Sequence, residues 1–146
     1  DAGARAWARS ACAEMHSGFG ALREICTMNI GLTVRLQKIS TALQQDIDRV
    51  TALWQQGLDT FGGPFLAGER FSAVDAFFAP VVFRFRGYQL PAPAACQRYI
   101  ERMLALPGMR EWEQAALEEP WREEGHEQET LRYSVPVEDR RKQSTN

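Results

Sequence analysis

The stretch FLAGERFSAVDAFFAPVVFRFRGY, residues 65–88, decides the fold class of this chain. Within it, Ser72 is followed three residues later by Asp75, the spacing of a capping box in which Asp replaces the usual Glu. The residues after Asp75 are apolar on nearly every side of a helical projection, which is typical of a helix at the centre of a bundle. The stretch therefore predicts a buried helix that ends near Tyr88 and is kinked at Pro80.

An amphipathic helix is predicted at the start of the chain, from just after Asp1 to about Cys26. Its apolar residues recur at three- and four-residue steps and form one stripe. Gly18 and Gly20 interrupt it, and each costs about 1 kcal/mol relative to alanine inside a helix. We therefore expect a bend or a close backbone approach at these glycines.

A second long helix is predicted from about residue 41 to residue 61, where Gly62-Gly63-Pro64 ends it. Residues 27–39 have no clear periodicity and stay ambiguous. Two shorter helices follow the central one, over about residues 94–106 and 108–117. The pattern predicts an all-α bundle of five to six helices with no sheet.

The composition changes near residue 122. Residues 1–122 carry the helical pattern and are predicted to form one domain. Residues 123–146 are rich in Glu, Arg and Gln with few apolar residues, so we predict a mobile or loosely docked tail.

Charge and cysteine content restrict the classes of partner. A net charge of -2 with scattered basic residues argues against a nucleic-acid partner. The longest apolar run, residues 71–83, is too short to span a membrane. Cys12, Cys26 and Cys96 are widely spaced and lack the spacing of zinc ligands, so we predict no metal site. Free thiols fit a reducing compartment, which makes the cytoplasm the expected location.

Two motifs carry a resemblance to a known family. Residues 65–80, FLAGERFSAVDAFFAP, resemble the segment of glutathione transferases in which a glycine-containing turn leads into a capped core helix. Residues 13–22, AEMHSGFGAL, are similar to the first C-terminal-domain helix of bacterial, beta-like members, which reads Glu-Leu-His-Lys-Gly-Phe. The resemblance covers about residues 1–120 in order. The chain is thus identified as a member of the glutathione S-transferase superfamily, within its C-terminal helical domain.

The resemblance implies that two domains have different roles in the full-length protein. In the family, a thioredoxin-like domain binds the co-substrate glutathione, and the helical domain supplies the wall for a hydrophobic electrophile and much of the homodimer interface. No βαβ pattern precedes the first predicted helix, so we expect the glutathione domain to lie outside this chain and the chain alone to be inactive. The alternative is a non-catalytic helical module of the same fold that serves protein–protein interaction.

The same resemblance suggests substrate-binding residues, but no catalytic residue, in this chain. His16 matches the family histidine that faces the active-site cleft, and Met15, Phe19 and Arg23 lie within a turn or two of it. A thioether, an aromatic ring and a guanidinium suit an apolar electrophile with a polar end. The alternatives are a hydrogen-bonded histidine, core packing for Met15 and Phe19, and a surface ion pair for Arg23.

Arg9 is the candidate for a glutathione contact. The beta-like pattern has Asn seven residues before the histidine and Ser or Thr three before it, where this sequence has Arg9 and Ala13. Arg9 is expected to meet a carboxylate of glutathione. Ser72 and Asp75 are interpreted as helix caps rather than as catalytic residues, because capping already gives both side chains backbone partners.

Overall fold

A computed structural model describes residues 1–141 of the chain. Over this range the chain forms seven helices and one two-stranded sheet. The helices are α1 (Ala2–Ser17), α2 (Gly20–Ile25), α3 (Thr41–Phe61), α4 (Ala73–Gly87), α5 (Ala94–Ala105), α6 (Pro107–Glu118) and α7 (Glu124–Leu131), and the strands are β1 (Leu32–Leu36) and β2 (Ser134–Asp139). The all-α class is confirmed, but the expectation of no sheet was wrong.

The first predicted helix is divided in two at its glycines. Asp1 caps α1 by accepting a hydrogen bond from the N–H of Gly3 at 3.0 Å. Gly18 leaves the helical conformation, and Phe19 then adopts a left-handed conformation with φ 60° before α2 begins. The carboxylate of Asp46 accepts a hydrogen bond from the N–H of Leu22 at 2.9 Å, which ties α2 to α3.

Helix α4 lies at the centre of the bundle, where it contacts α1, α5 and β1. Trp54 of α3 is fully buried and packs against three rings, those of Phe78, Phe85 and Tyr99, at centroid distances of 5.9, 5.0 and 5.2 Å. Large rings in offset or tilted contact contribute both burial and specific geometry. The prediction that this helix lies at the centre of the bundle is confirmed.

The predicted capping box at the start of α4 is present. The Asp75 side chain is fully buried, and its Oδ2 accepts from the N–H of Ser72 at 2.9 Å and from the Ser72 hydroxyl at 3.0 Å. Its Oδ1 accepts from the N–H of Leu66 at 3.0 Å and from the Tyr99 hydroxyl at 3.1 Å. One carboxylate thus joins the preceding turn, α4 and α5.

Residues 124–141 of the predicted tail are folded, and its mobile or loosely docked character stays a prediction. They form α7 and β2, and β2 pairs antiparallel with β1 in a register that sets Leu36 opposite Ser134. The buried Thr130 hydroxyl lies 2.9 Å from that of Thr27. Sequence periodicity missed this segment because strand pairing between distant residues leaves no helical pattern. Residues 142–146 of the predicted tail lie outside the described residues, and the boundary at residue 122 stays a prediction.

Candidate functional site

One face of α1 carries a row of polar side chains. Helical residues advance by about 100° each, so Arg5, Arg9, Cys12 and His16 fall within one narrow arc of the helix. The first three of these line a groove between α1 and the start of α4. The predicted glutathione contact, Arg9, and the predicted electrophile contact, His16, therefore share one face of α1, about two turns apart.

The groove has a volume of about 460 Å³ and walls of small apolar residues. Its lining comprises Asp1, Ala4, Arg5, Ala8, Arg9, Cys12, Ala67, Ser72, Ala73 and Val74. Arg5 and Arg9 are exposed and form no ion pair with a carboxylate within residues 1–141. The groove therefore combines an apolar floor with two cations that are free to meet an anionic group.

The cysteine in the groove is a poor nucleophile. Burial, followed by the negative charge of Asp75, raises the pKa of the Cys12 thiol. Burial also raises the pKa of Cys26, to about 12, although the charge of Arg84 opposes that rise. Because the thiolate is the reactive form, neither residue is suited to attack an electrophile near neutral pH.

Arg23 closes the C-terminal end of α1. Its Nε donates to the carbonyl of Gly18 at 3.0 Å, and its Nη2 donates to the carbonyls of His16, at 3.1 Å, and of Met15. A cation is favourable at this end of a helix, where carbonyls lack helical partners. The alternative of a surface ion pair does not apply, since the partners of Arg23 are carbonyls.

The four predicted substrate-binding residues do not all share one environment. Met15 is half-buried, with its sulfur 4.0 Å from Nη2 of Arg23, and His16 is exposed on the last turn of α1. Phe19 is only 7% exposed and belongs to the hydrophobic core, which favours the core-packing alternative. Met15, His16 and Arg23 meet at one end of α1, while Phe19 points away from the surface.

Arg84 of α4 is a neighbour of this site that sequence reasoning missed. Its Nε donates to the carbonyl of Cys26 at 2.7 Å, and its Nη1 donates to the carbonyl of Pro80 at 3.2 Å and lies 3.6 Å from the sulfur of Met28. Burial, followed by the positive charge of Arg23, lowers the pKa of Arg84. The available signal was a basic residue inside the apolar run of α4.

Comparison with known proteins settles the family. A family model described as "Glutathione S-transferase, C-terminal domain" matches residues 33–115, which is more than half of the 146 residues. The chain belongs to this family. No curated protein and no solved structure matches the chain. The glutathione S-transferase C-terminal domain is therefore established, and the bacterial, beta-like subtype stays a prediction.

The matched region contains the capping box but not the face of α1. It begins in β1 and ends in α6, so Arg9, Met15, His16, Phe19 and Arg23 all precede it. Membership of the glutathione S-transferase family thus supports the fold around Asp75. The predicted site residues depend on the geometry of α1 and its groove.

A second pocket of this glutathione S-transferase domain, of about 290 Å³, lies between residues 28–31, α6 and α7. Met28, Trp112 and Trp121 contribute apolar surface to it. Its buried-side cation, Arg141, is paired with Glu127 and Asp139 at 2.6 Å each. Arg122 also lines this pocket and donates to the carbonyls of Glu119 and Trp121.

Between residues 1 and 141, no three or more His, Cys, Asp or Glu side chains are grouped so that they could hold a metal ion. Over the same range, none of the helices has the length and apolar character needed to cross a membrane.

Proposed function

We propose that this chain is the electrophile-binding and dimerisation domain of a cytoplasmic glutathione transferase. The observation that carries the proposal is the groove of about 460 Å³ between α1 and α4, with its apolar floor and unpaired Arg5 and Arg9. Apolar walls bind a hydrophobic electrophile and exclude water, and the exposed cations bind carboxylates of glutathione. The thioredoxin-like domain that holds and activates glutathione would be supplied from outside this chain.

In the proposed reaction, glutathione supplies a thiolate whose sulfur forms a bond to the electrophilic carbon while the leaving group departs with its electron pair. The residues of this chain position the reactants. Arg9 holds a carboxylate of glutathione at the rim of the groove, and His16 donates a hydrogen bond to the polar end of the electrophile. Met15 adds an adaptable apolar contact beside His16.

A substitution that fills the groove tests this function. Ala73 is an exposed residue in the first turn of α4 and lines the groove. In the full-length enzyme, Ala73→Phe is expected to raise KM for 1-chloro-2,4-dinitrobenzene about tenfold, because the ring occupies space that the electrophile needs. The KM for glutathione should stay within about twofold, since glutathione is held mainly by the other domain.

The matched control is Ala42→Phe. Ala42 is also an exposed alanine in the first turn of a helix, α3, but it does not line the groove. His16→Ala belongs in the same assay and is expected to lower kcat/KM about threefold to tenfold without loss of thermal stability, because His16 is exposed. Equal kinetics for Ala73→Phe and Ala42→Phe would contradict the groove as the electrophile site.

The same proposal places the homodimer surface on α1 and α3. These two long helices are held together by a bidentate ion pair, in which Arg49 donates to Glu14 at 2.6 and 2.8 Å. The packing of Trp7 against Phe61 at 5.5 Å also joins them. Sedimentation of the chain and of the full-length protein at several concentrations should show reversible dimers. A strict monomer for both over the whole range would argue against this surface.

A non-catalytic module for protein–protein interaction is the second candidate. It shares the fold, and the two candidates predict different activities for the full-length protein. The chain alone should show no conjugation in either case, because activation of the glutathione thiol is assigned to the thioredoxin-like domain. Turnover of 1-chloro-2,4-dinitrobenzene by the full-length protein supports the enzyme, and its absence supports the module.

A further inference from the structure

Arg84 differs from the other arginines that are shielded from solvent. Among the described residues, three arginine side chains are half-buried: Arg84, Arg86 and Arg141. Arg86 pairs with Glu113 at 2.7 Å, and Arg141 pairs with Glu127 and Asp139. Arg84 has no carboxylate partner within residues 1–141. It is therefore a shielded cation whose partners are carbonyl oxygens and a sulfur rather than a carboxylate.

A second cation lies beside Arg84 rather than an anion. Arg23 lies in α2, whose C-cap residue is Cys26, and the carbonyl of Cys26 accepts a hydrogen bond from Arg84 at 2.7 Å. The charge of Arg23 lowers the pKa of Arg84, and Arg23 likewise has no carboxylate partner over residues 1–141. Two positive charges on one patch repel each other, and the repulsion is strongest where solvent is partly excluded. Carbonyl oxygens stabilise both groups, and a bound anion would in addition reduce the repulsion between them.

Each of the two guanidinium groups has one terminal nitrogen whose N–H groups make no hydrogen bond within residues 1–141. Arg84 uses Nε and Nη1 on carbonyls and on the sulfur of Met28, so its Nη2 has no hydrogen-bond partner in the described part of the chain. Arg23 uses Nε and Nη2 on the carbonyls that end α1, which leaves its Nη1 free over the same range. The bonds that each group does make fix its position, so the spare donors are held in place.

We propose that Arg23 and Arg84 form an anion subsite at the C-terminal end of α1, and that the hydrophobic electrophile of this domain carries a carboxylate or sulfonate group. This inference rests on the proposed function and adds the substrate class to it. The thioethers of Met15 and Met28 touch the two guanidinium groups at 4.0 and 3.6 Å. Polarisable sulfurs beside fixed cations suit an aromatic or aliphatic body that ends in an anion.

A pair of probes that differ only in charge tests the subsite. The fluorophores 8-anilinonaphthalene-1-sulfonate and N-phenyl-1-naphthylamine share one aromatic body, and only the first carries a sulfonate. The 146-residue chain should bind the sulfonate probe about tenfold tighter than the neutral one, which is the effect of one charge-assisted contact. This advantage should shrink as salt is added, because salt screens the attraction.

Three variants test which arginines cause the preference for the sulfonate probe. Arg84→Met and Arg23→Met should each remove most of the preference for the sulfonate and leave the affinity for the neutral probe within about twofold. Arg35→Met changes an exposed arginine of β1 and should leave both affinities unchanged. Arg23 is exposed, so its variant remains informative even if Arg84→Met disturbs packing near Cys26. Far-UV circular dichroism checks the fold of each variant.

The outcomes separate the inference from the proposed function. A sulfonate preference that survives in both methionine variants, or equal weakening of both probes, overturns the anion subsite. Tight binding of the neutral probe with no preference for the sulfonate also overturns it, but leaves the electrophile-binding role standing. Failure of the wild-type chain to bind either probe contradicts the proposed function, and the subsite falls with it.

Discussion

Replacing Asp75 with alanine is expected to lower the free energy of unfolding by about 3–5 kcal/mol. The fully buried carboxylate accepts four hydrogen bonds, two from Ser72, one from the N–H of Leu66 and one from the hydroxyl of Tyr99. Alanine removes every acceptor at once, and it leaves the buried N–H of Leu66 and hydroxyl of Tyr99 without partners away from water. A buried donor without a partner costs about 1–3 kcal/mol, so the loss exceeds that of an ordinary cap.

Two controls show whether the effect belongs to this network. Tyr99→Phe removes one of the four donors and should cost about 1 kcal/mol. Asp59→Ala changes an exposed aspartate of α3 that, within residues 1–141, accepts hydrogen bonds from Gln55 alone, and it should change the stability by less than about 0.5 kcal/mol. Urea denaturation measures all three. A midpoint for Asp75→Ala close to that of Asp59→Ala would mean that the network contributes little.

The network also shows how far the sequence can predict this fold. The spacing of Ser72 and Asp75 was sufficient to predict the start of α4, because a capping box is a local pattern. The links from Asp75 to Leu66 and Tyr99 were not predictable, since they depend on how a turn and a second helix pack. A local pattern such as a capping box can therefore be predicted from one sequence, whereas contacts between distant residues cannot.

The small sheet and the candidate site also show that local patterns could be predicted and that contacts between distant residues could not. The strand β1 lies in residues 27–39, which had no clear periodicity, and it forms only because β2 pairs with it from about a hundred residues away. His16 and Arg23 were predicted from a helical motif, and the structure places them at one end of α1. Arg84 was missed because nothing in the local sequence shows that a cation lacks a carboxylate partner in the fold. Both a site role and core packing were predicted as alternatives for Phe19, because its αL conformation could not be foreseen from the sequence.

The second large effect is expected for Gly63→Ala, which should lower the free energy of unfolding by about 2–4 kcal/mol. A Cβ atom on Gly63 would overlap the carbonyl oxygen of Gly68 and lie 2.5 Å from its Cα. These are backbone atoms of a tight turn, in which Phe65 and Gly68 exchange hydrogen bonds of 3.1 and 3.3 Å. The turn cannot yield without losing those bonds, and it also presents the N–H of Leu66 to Asp75.

The clash at Gly63 is therefore expected to act on the Asp75 network and not only on the turn itself. Gly108→Ala is the matched control, because Gly108 lies in the first turn of α6 and a Cβ there would meet nothing within 4 Å. That substitution should stabilise the protein by about 0.4–1 kcal/mol, since alanine loses less backbone freedom on folding. Urea denaturation of both variants should give shifts of opposite sign. If Gly63→Ala behaves like Gly108→Ala, the turn yields to the methyl group at little cost, and its contact with Asp75 is not held rigidly.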